Sequence, residues 1–556
     1  MRAPADARLV RLRGREEESG SRSPIVAGRR AEELDAARPP GGLGLIFAVC
    51  LALGALSLFF YATPTYDPWA WILWGREVAH LDLVTEGGPS WKPLPVVFTT
   101  VFSLFGEDVA PALWLAVARA GALLACVMAF RVAWRLAGGG LAGALGGAAS
   151  GLLLLASFNF VRDAALGNSE ALMVALVLLA FERHLDGQGL AGTSFGRSRA
   201  GAPTRQRAHA LYFGVAAALL RPEIWPFLGI YGLFLLVREP ALRVRTALLG
   251  LLVPLLWFGP ELWGSGQALR AATRATNPNR GSAALAEDPT MLLLERFGGS
   301  LGTPVKIGAA VAVAWALYRF LRRRSDRPVL ALFAGGCAWF ALVAVMTEAG
   351  YAGNSRYLIV SLTAITVLAG VGAAFALRGA GAVAERLTGR PWAARAVIVA
   401  GAAVAVCLVA LPVMGQKGDS FVEKRFVKSR KLVAHEASLW PNLERVIAAA
   451  GGKERLKACG GLYSGPYQTQ MVAYELGVHG AQVRSLEGTP PPGAGFRTRT
   501  IPTGPLVIEL TDRRYRQIAR EGKWRVVTVP PGGRSACPAA SRDAPRSPAG
   551  GRATIR

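Results

Sequence analysis

A few short stretches of this sequence place ionisable side chains in otherwise apolar surroundings. Thr65-Tyr66-Asp67-Pro68-Trp69-Ala70-Trp71-Ile72-Leu73-Trp74-Gly75-Arg76-Glu77 sets a carboxylate ahead of a group of tryptophans. Ser90-Trp91-Lys92-Pro93-Leu94-Pro95 puts one lysine at the head of an apolar run. Arg162-Asp163 and Asn168-Ser169-Glu170 fall between two apolar segments, and Asn354-Ser355-Arg356-Tyr357-Leu358 opens a late one. A carboxylate can take up a proton, and a lysine or arginine can hold an anion. Each residue also has an ordinary structural reading. Asp67 before Pro68 suits an N-cap and a first helical position. Trp69, Trp71 and Trp74 suit an interfacial aromatic belt, and Lys92 a side chain snorkelling to headgroups. Glu170 suits a carboxylate favoured at a helix start by the macrodipole. Glu77 and His80 share a helical face at i, i+3, but two ligands do not make a metal site, and no Cys/His cluster has zinc-ligand spacing.

The elements that must position these residues are membrane helices. Hydrophobic residues make up 52% of the chain, and long stretches almost free of Asp, Glu and Lys alternate with short Arg-rich ones. A spanning helix needs roughly 20 apolar residues, and spans are expected near 43–62, 110–136, 141–156, 169–183, 208–220, 223–237, 243–259, 304–320, 328–345, 356–377 and 393–414. The net charge of +26 sits mostly on Arg in the short loops. That is the signature of the positive-inside rule, not of nucleic-acid binding, and no nucleic-acid motif or Walker-type phosphate loop is present. The leader 1–42 is too long for the n-region of a cleaved signal peptide, so the first apolar run is expected to stay as an anchor.

The apolar segment 93–105 decides the topology. If it does not cross, Arg131 and Arg135, the 197–207 loop, Arg238 to Arg245, Arg322 to Arg327 and Arg378 to Arg395 all join the Arg-rich leader on the cytoplasmic side. If it crosses, every cluster faces outward. It is therefore read as a juxtamembrane or re-entrant helix on the outer face. The expected fold is an all-α polytopic transmembrane bundle of about eleven spans, with the amino terminus inside and the carboxyl terminus outside. The candidate residues then share the outer side, where ionisable groups at such depth usually face a cavity and mark function.

The domains expected are a cytoplasmic, disordered leader 1–42, a transmembrane domain 43–414 with its first outer loop at 63–109, an extracytoplasmic α/β domain 415–540, and a disordered tail 541–556. In the third of these, Phe421, Val427, Val433, Leu439, Leu443, Val446 and Ile447 have helical spacing, while 505–510 and 524–529 read as strands. The pair 208–220 and 223–237 meets at Arg221-Pro222-Glu223 and reads as a bent hairpin. Cys50, Cys126, Cys337 and Cys407 lie in apolar spans. Cys459 and Cys537 alone lie in the tail, where an oxidising compartment favours a disulfide between them.

The order of these motifs resembles the GT-C glycosyltransferases, especially the protein O-mannosyltransferase and lipid A aminoarabinose transferase branch. There an early acid pair follows the first span, a Lys-Pro-Pro-Leu motif opens a juxtamembrane helix, and an Arg-Tyr-Leu motif comes late. The resemblance implies Asp67 as the catalytic acid/base, with Glu170 as the second acidic position and Asp163 as its competitor. It further implies Lys92, Arg356 and Arg119 as contacts to the lipid phosphate of the donor, with Trp69, Trp71 and Trp74 lining the sugar or the isoprenoid. Pro68 stands where the second acid of the early pair falls, and Lys92-Pro93-Leu94 lacks the second proline, so no metal ligand set is expected and a divalent cation is left open. The implied partners are the bilayer, a polyprenyl-phosphate sugar donor and an unidentified extracytoplasmic acceptor; no nucleic acid is expected. A transporter or lipid flippase would use the same polar residues as a path, but its inverted repeats are not visible here. A non-catalytic membrane assembly protein is the third reading.

Overall fold

The computed structural model describes residues 42–61, 63–188, 202–278, 281–401, 421–485, 492–509, 514–529 and 537. The Arg-rich leader, the 541–556 tail and most of the span expected at 393–414 lie outside them. The helices are α1 (Leu43–Leu56), α2 (Tyr66–Ala79), α3 (Pro93–Ser103), α4 (Ala110–Leu136), α5 (Gly140–Ala156), α6 (Phe158–Ala165), α7 (Glu170–Gln188), α8 (Ala202–Ala218) and α9 (Trp225–Arg238). They continue as α10 (Arg243–Ser265), α11 (Arg270–Ala275), α12 (Pro289–Ser300), α13 (Thr303–Arg323), α14 (Arg327–Glu348) and α15 (Ile359–Thr388).

Among the described residues, five helical stretches are long and apolar enough to cross a bilayer by themselves: Ala110–Leu136, Pro240–Ser265, Thr303–Arg323, Arg327–Glu348 and Ser355–Thr388. The pair α5 and α6, bent by 64° at Ser157, makes a sixth if it is one span. Among the described residues, length and apolarity thus account for fewer crossings than the eleven expected, of which the one at 393–414 lies mostly outside them. α7 carries Glu182, Arg183 and Asp186 in its second half, α8 has 17 residues and α9 only 14. The segment 93–105 forms an 11-residue helix, about 16 Å long at the α-helical rise, too short for a core of roughly 30 Å. It lies instead against α2, where the Thr99 hydroxyl donates to the Trp71 carbonyl at 2.6 Å.

Small residues let the central helices close up. A Cβ on Gly146 of α5 would meet the Gly370 carbonyl of α15 at 2.2 Å, so only glycine permits that crossing. Ser150, one turn further on, is fully buried and returns its hydroxyl to the Gly146 carbonyl at 3.0 Å. Close backbone approach through small residues is how helices pack where apolar side chains gain little by leaving lipid.

The carboxyl-terminal domain begins with α16 (Phe421–Ala449), on which Val433, Leu439, Leu443, Val446 and Ile447 are buried as the spacing required. Then follow α17 (Lys453–Lys457), β1 (Gly461–Ser464), α18 (Thr469–Leu476), β2 (Val483–Ser485), β3 (Gly493–Arg499), β4 (Leu506–Val507), β5 (Arg516–Glu521) and β6 (Trp524–Val529). The sheet order is β2-β1-β3-β6-β5, parallel from β2 to β3 and antiparallel beyond, with β4 paired to β3. The strand expected at 505–510 is thus reduced to two residues, while 524–529 forms as read. A disulfide joins Cys459 to Cys537.

This domain is seated on α2. Arg76 donates to the carbonyls of Tyr474 at 3.1 Å and Val478 at 3.2 Å. His479 bonds the buried Glu77 carboxylate at 2.9 Å, and the Tyr474 hydroxyl donates to the Glu107 carbonyl at 2.7 Å. Burial pushes the Glu77 carboxyl up from its ordinary value, with the bonds from Val84 and His479 pulling it back.

Candidate active site

Asp67 and Glu170 are brought together by one main-chain bond. The Thr65 amide donates to the Leu166 carbonyl at 3.0 Å, tying the start of α2 to the loop before α7. That loop turns at Gly167, whose φ of 83° suits glycine, and the Trp114 indole holds its carbonyl at 2.9 Å. Glu170 is then the first residue of α7. Asp67 lies inside the first turn of α2, which starts at Tyr66. It is not the N-cap, and its carboxylate points away from the helix to Arg356, with Nη2 to Oδ2 at 3.0 Å. Pro68 is accommodated in the first turn, where no intrahelical N–H bond is owed.

Lys92 arrives from the first loop. Ser90 donates to the Ala271 carbonyl and Trp91 to the Leu256 carbonyl, each at 3.0 Å, which fixes the two residues ahead of it. Its ammonium lies 4.7 Å over the Trp71 ring, donates to the Ser169 hydroxyl at 3.1 Å and faces the Glu170 carboxylate at 3.9 Å. Burial lowers the Lys92 pKa to about 8 even though Glu170 pulls the other way. Arg356 is set by the tight turn Ser355–Leu358, pinned where the Trp339 indole donates to the Tyr357 carbonyl at 2.7 Å. Besides Asp67 it faces Glu170 at 3.7 Å.

Two further members went unread as chemistry in the sequence. Arg221 donates to Glu170 at 2.7 Å and to Glu223 at 2.8 Å, and its guanidinium lies 4.2 Å over the Tyr357 ring. Both come from the Arg221-Pro222-Glu223 break between α8 and α9, which was legible as a bend. An opposite-charge pair flanking a proline inside an apolar stretch was the available signal.

The cluster therefore sets Lys92, Arg221 and Arg356 against Asp67, Glu170 and Glu223. Asp67 and Arg356 keep 15% and 29% of their side chains exposed, while Lys92, Glu170 and Arg221 keep 10% or less. The cluster is therefore most exposed at Asp67 and Arg356. One carboxylate oxygen each on Glu170 and Glu223 is buried without a hydrogen-bond partner, a costly arrangement unless something polar comes to them.

Asp163 is held by its neighbour Arg162 at 2.7 Å and borders the cluster, where it interacts electrostatically with Glu170 and Arg356. The other expected site residues lie elsewhere. Arg119 donates to the main-chain carbonyls of Ser57 at 2.7 Å, Tyr61 at 2.6 Å and Ala165 at 2.9 Å. It closes the chain beyond α1 onto α6 rather than facing a phosphate, because a buried guanidinium satisfies orphan carbonyls at a helix end. The three tryptophans are 2% exposed or less, so they are neither a belt nor an open lining. Trp69 packs edge-on against Trp440 of the carboxyl-terminal domain at 5.0 Å, and Trp74 against Trp91 at 5.5 Å. Only Trp71 touches the cluster, beneath Lys92. Among the described residues no group of three or more His, Cys, Asp or Glu side chains is arranged to hold a metal ion.

Below the cluster is an apolar cavity of about 280 Å³. Its walls include Val174, four residues after Glu170, Val360, four after Arg356, and Ile224, next to Glu223. Glu170 and Val174, at i and i+4, stack on one face of α7, so the cavity begins one turn beneath Glu170. Phe181, Phe227 and Trp339 continue it downward.

No protein-family model and no curated protein matches the chain. Among solved structures, ArnT from Cupriavidus metallidurans bound to undecaprenyl phosphate matches with a TM-score of 0.51 at 17% identity, over 88% of this chain and 98% of that one. The Archaeoglobus fulgidus oligosaccharyltransferase tethered with an acceptor peptide matches at 0.44 and 12% identity, over 79% of this chain and 63% of that one. At such identity the first match establishes a shared fold, that of ArnT.

Proposed function

We propose that this protein transfers a sugar from a polyprenyl-phosphate donor to an acceptor hydroxyl at the outer face of the cell membrane. One observation carries the reading: the three-cation cluster stands directly on an apolar cavity. A polyprenyl phosphate has the same two-part chemistry, with its phosphate fitting Lys92 and Arg356 and its isoprenoid the cavity below. Undecaprenyl phosphate, bound in the ArnT structure, is such a lipid.

In the reaction, Asp67 accepts the acceptor hydroxyl's proton as that oxygen bonds to the anomeric carbon. The bond from the same carbon to the phosphate oxygen breaks, and its electron pair stays on the departing lipid phosphate. Lys92 and Arg356 meet that growing charge in a largely dry site, where fixed cations act most strongly. Glu170 positions both of them. A single base on the acceptor side gives inversion at the anomeric carbon.

The outward orientation is supported by where each helix goes. α7, α9 and α15 begin at the cluster, and α9 ends at Arg238 before Arg243 and Arg245. α14 begins at Arg327 beside Arg322, Arg323 and Arg324, and Trp339, just past its middle, bonds the Tyr357 carbonyl. The Arg-rich loops therefore share the face opposite the cluster, and the positive-inside rule puts that face in the cytoplasm.

The test is to present the purified protein with a panel of polyprenyl-phosphate sugars and measure release of lipid phosphate. One donor class should be consumed, with transfer to an added hydroxyl acceptor or to water. Consumption of none would overturn the reading and leave a transport path as the explanation of the cluster.

A further inference from the structure

The charged cluster is neutral when all its members are ionised. Lys92, Arg221 and Arg356 face Asp67, Glu170 and Glu223, so each cation has a carboxylate to answer it. A phosphate brings further negative charge. One carboxylate must therefore give up its cation when the donor arrives.

The three acids are not held alike. Glu170 is met by Arg221 at 2.7 Å, Arg356 at 3.7 Å and Lys92 at 3.9 Å, and Glu223 by Arg221 at 2.8 Å. Both of these carboxylates are buried. Asp67 has one ion-pair partner among the described residues, Arg356, with Nη2 to Oδ2 at 3.0 Å. Of the three cations Arg356 is also the most exposed, at 29% against 10% for Lys92 and 6% for Arg221. The cation most open to an incoming phosphate is thus the one that already carries Asp67.

This pair occupies both halves of the reaction at once. While it is closed, Arg356 spends a guanidinium nitrogen on a carboxylate instead of a phosphate. Asp67 in turn points an oxygen at Arg356 instead of at an acceptor hydroxyl. Guanidinium groups bind carboxylate and phosphate oxygens through the same N–H fork, so the two anions compete for one donor.

We propose that the Asp67–Arg356 pair is an autoinhibitory contact that the donor opens, Arg356 passing from Asp67 to the donor phosphate before transfer begins. The inference rests on the glycosyltransferase reading above and adds the order of its steps. An anionic phosphate oxygen takes the Arg356 N–H, and the released Asp67 carboxylate turns to the acceptor hydroxyl. As the acceptor oxygen bonds to the anomeric carbon, its proton moves to Asp67. The electron pair of the broken carbon–oxygen bond stays on the lipid phosphate, which gains a second negative charge. Protonated Asp67 is neutral and cannot reclaim Arg356, so the lipid phosphate is held until that proton passes to solvent. Asp67 thus times product release as well as acting as the base.

A closed pair lowers the affinity for phosphate in proportion to the fraction of molecules in which it is open. Asp67→Asn cannot form the ion pair and has the charge of the state after transfer. It should bind undecaprenyl phosphate roughly tenfold or more tighter than wild type does. Asp67→Ala, which loses the hydrogen bond as well, should show the same gain. Arg356→Gln should bind the lipid more weakly, and adding Asp67→Asn to it should bring no gain. Calorimetry on the full chain in detergent measures all of these, with the melting temperature of each preparation as the check on folding. Equal or weaker binding by either Asp67 variant, or unchanged binding by Arg356→Gln, overturns the proposal. A gain from Asp67→Asn that persists without Arg356 also overturns it, since bulk charge and not the pair would then be responsible. Failure of undecaprenyl phosphate to bind wild type and every variant would overturn the donor reading itself, so the two failures are distinguishable.

Discussion

The helix α7 carries a buried ion network at each end. At its start, Glu170 meets Lys92, Arg221 and Arg356, drawn from the first loop, the α8–α9 break and the turn before α15. Toward its other end, Glu182 is met by Arg131 and Arg135 of α4 at 3.1 Å each and by Arg183 at 2.8 Å, with Asp186 joining them. The two acids lie 12 residues apart, about 18 Å along the helix. Either network alone reads as a functional site by burial and charge. They differ in construction: the second joins helix interiors, α4 and α7 with Gln206 of α8 bonded to Arg183, whereas the first gathers loop segments and adjoins the apolar cavity. Buried charge is thus a weak marker, and the convergence of loop segments on one acid beside a cavity is the stronger one.

The comparison breaks most visibly by substitution at the Glu182 end. Glu182→Gln removes the fully buried carboxylate that Arg131, Arg135 and Arg183 share, and removing one member of such a network costs about 3–5 kcal/mol. Chemical unfolding should show that loss, while turnover per folded molecule stays at the wild-type level. A fall in turnover with stability intact would erase the distinction between the ends.

At the Glu170 end the effects reverse. Arg356→Gln removes the proposed phosphate contact, whose partner Asp67 is partly exposed, so stability should change little. Turnover should fall by roughly 10²- to 10³-fold, as when one preorganised donor to a developing charge is lost. Measuring kcat and melting temperature on the same preparation checks both.

A smaller effect sharpens the role of Lys92. Its ammonium is lost as pH rises through about 8, so kcat/KM for the donor should fall above that pH. Stability moves the other way: the unfolded chain keeps the lysine proton to about 10.4, binds more protons between the two values, and folding stability therefore rises with pH across that window. Lys92→Arg should keep activity on the alkaline side where wild type loses it. A wild-type profile flat to pH 9.5 or so would show that Lys92 is not titrating there.

Much of this site was legible because its residues break a local rule. Asp67, Lys92, Glu170 and Arg356 are charges in apolar surroundings, and each sits where a helix starts, which sequence can show. Arg221 was visible only as a bend, since its partner Glu170 is 51 residues earlier. The tryptophans misled for the same reason. Whether Trp69 faces lipid or protein is decided by Trp440 and Tyr474, in a domain whose docking the local pattern does not encode. Arg119 looked like its neighbours in type, but its fate depends on which carbonyls the end of α1 leaves open. The short crossings at 208–237 were read from apolarity, and the structure shows a broken pair whose break serves the site.

The central claim is that Asp67 removes the acceptor's proton, and it is tested most directly by Asp67→Asn. An amide keeps the size and most hydrogen-bonding capacity of the side chain but cannot act as a base. With a polyprenyl-phosphate sugar that the wild type consumes, single-turnover kinetics should show donor binding retained, the melting temperature nearly unchanged, and transfer slowed by roughly 10²-fold or more. Transfer by Asp67→Asn at the wild-type rate would contradict the account, and the base would then have to be sought at Asp163.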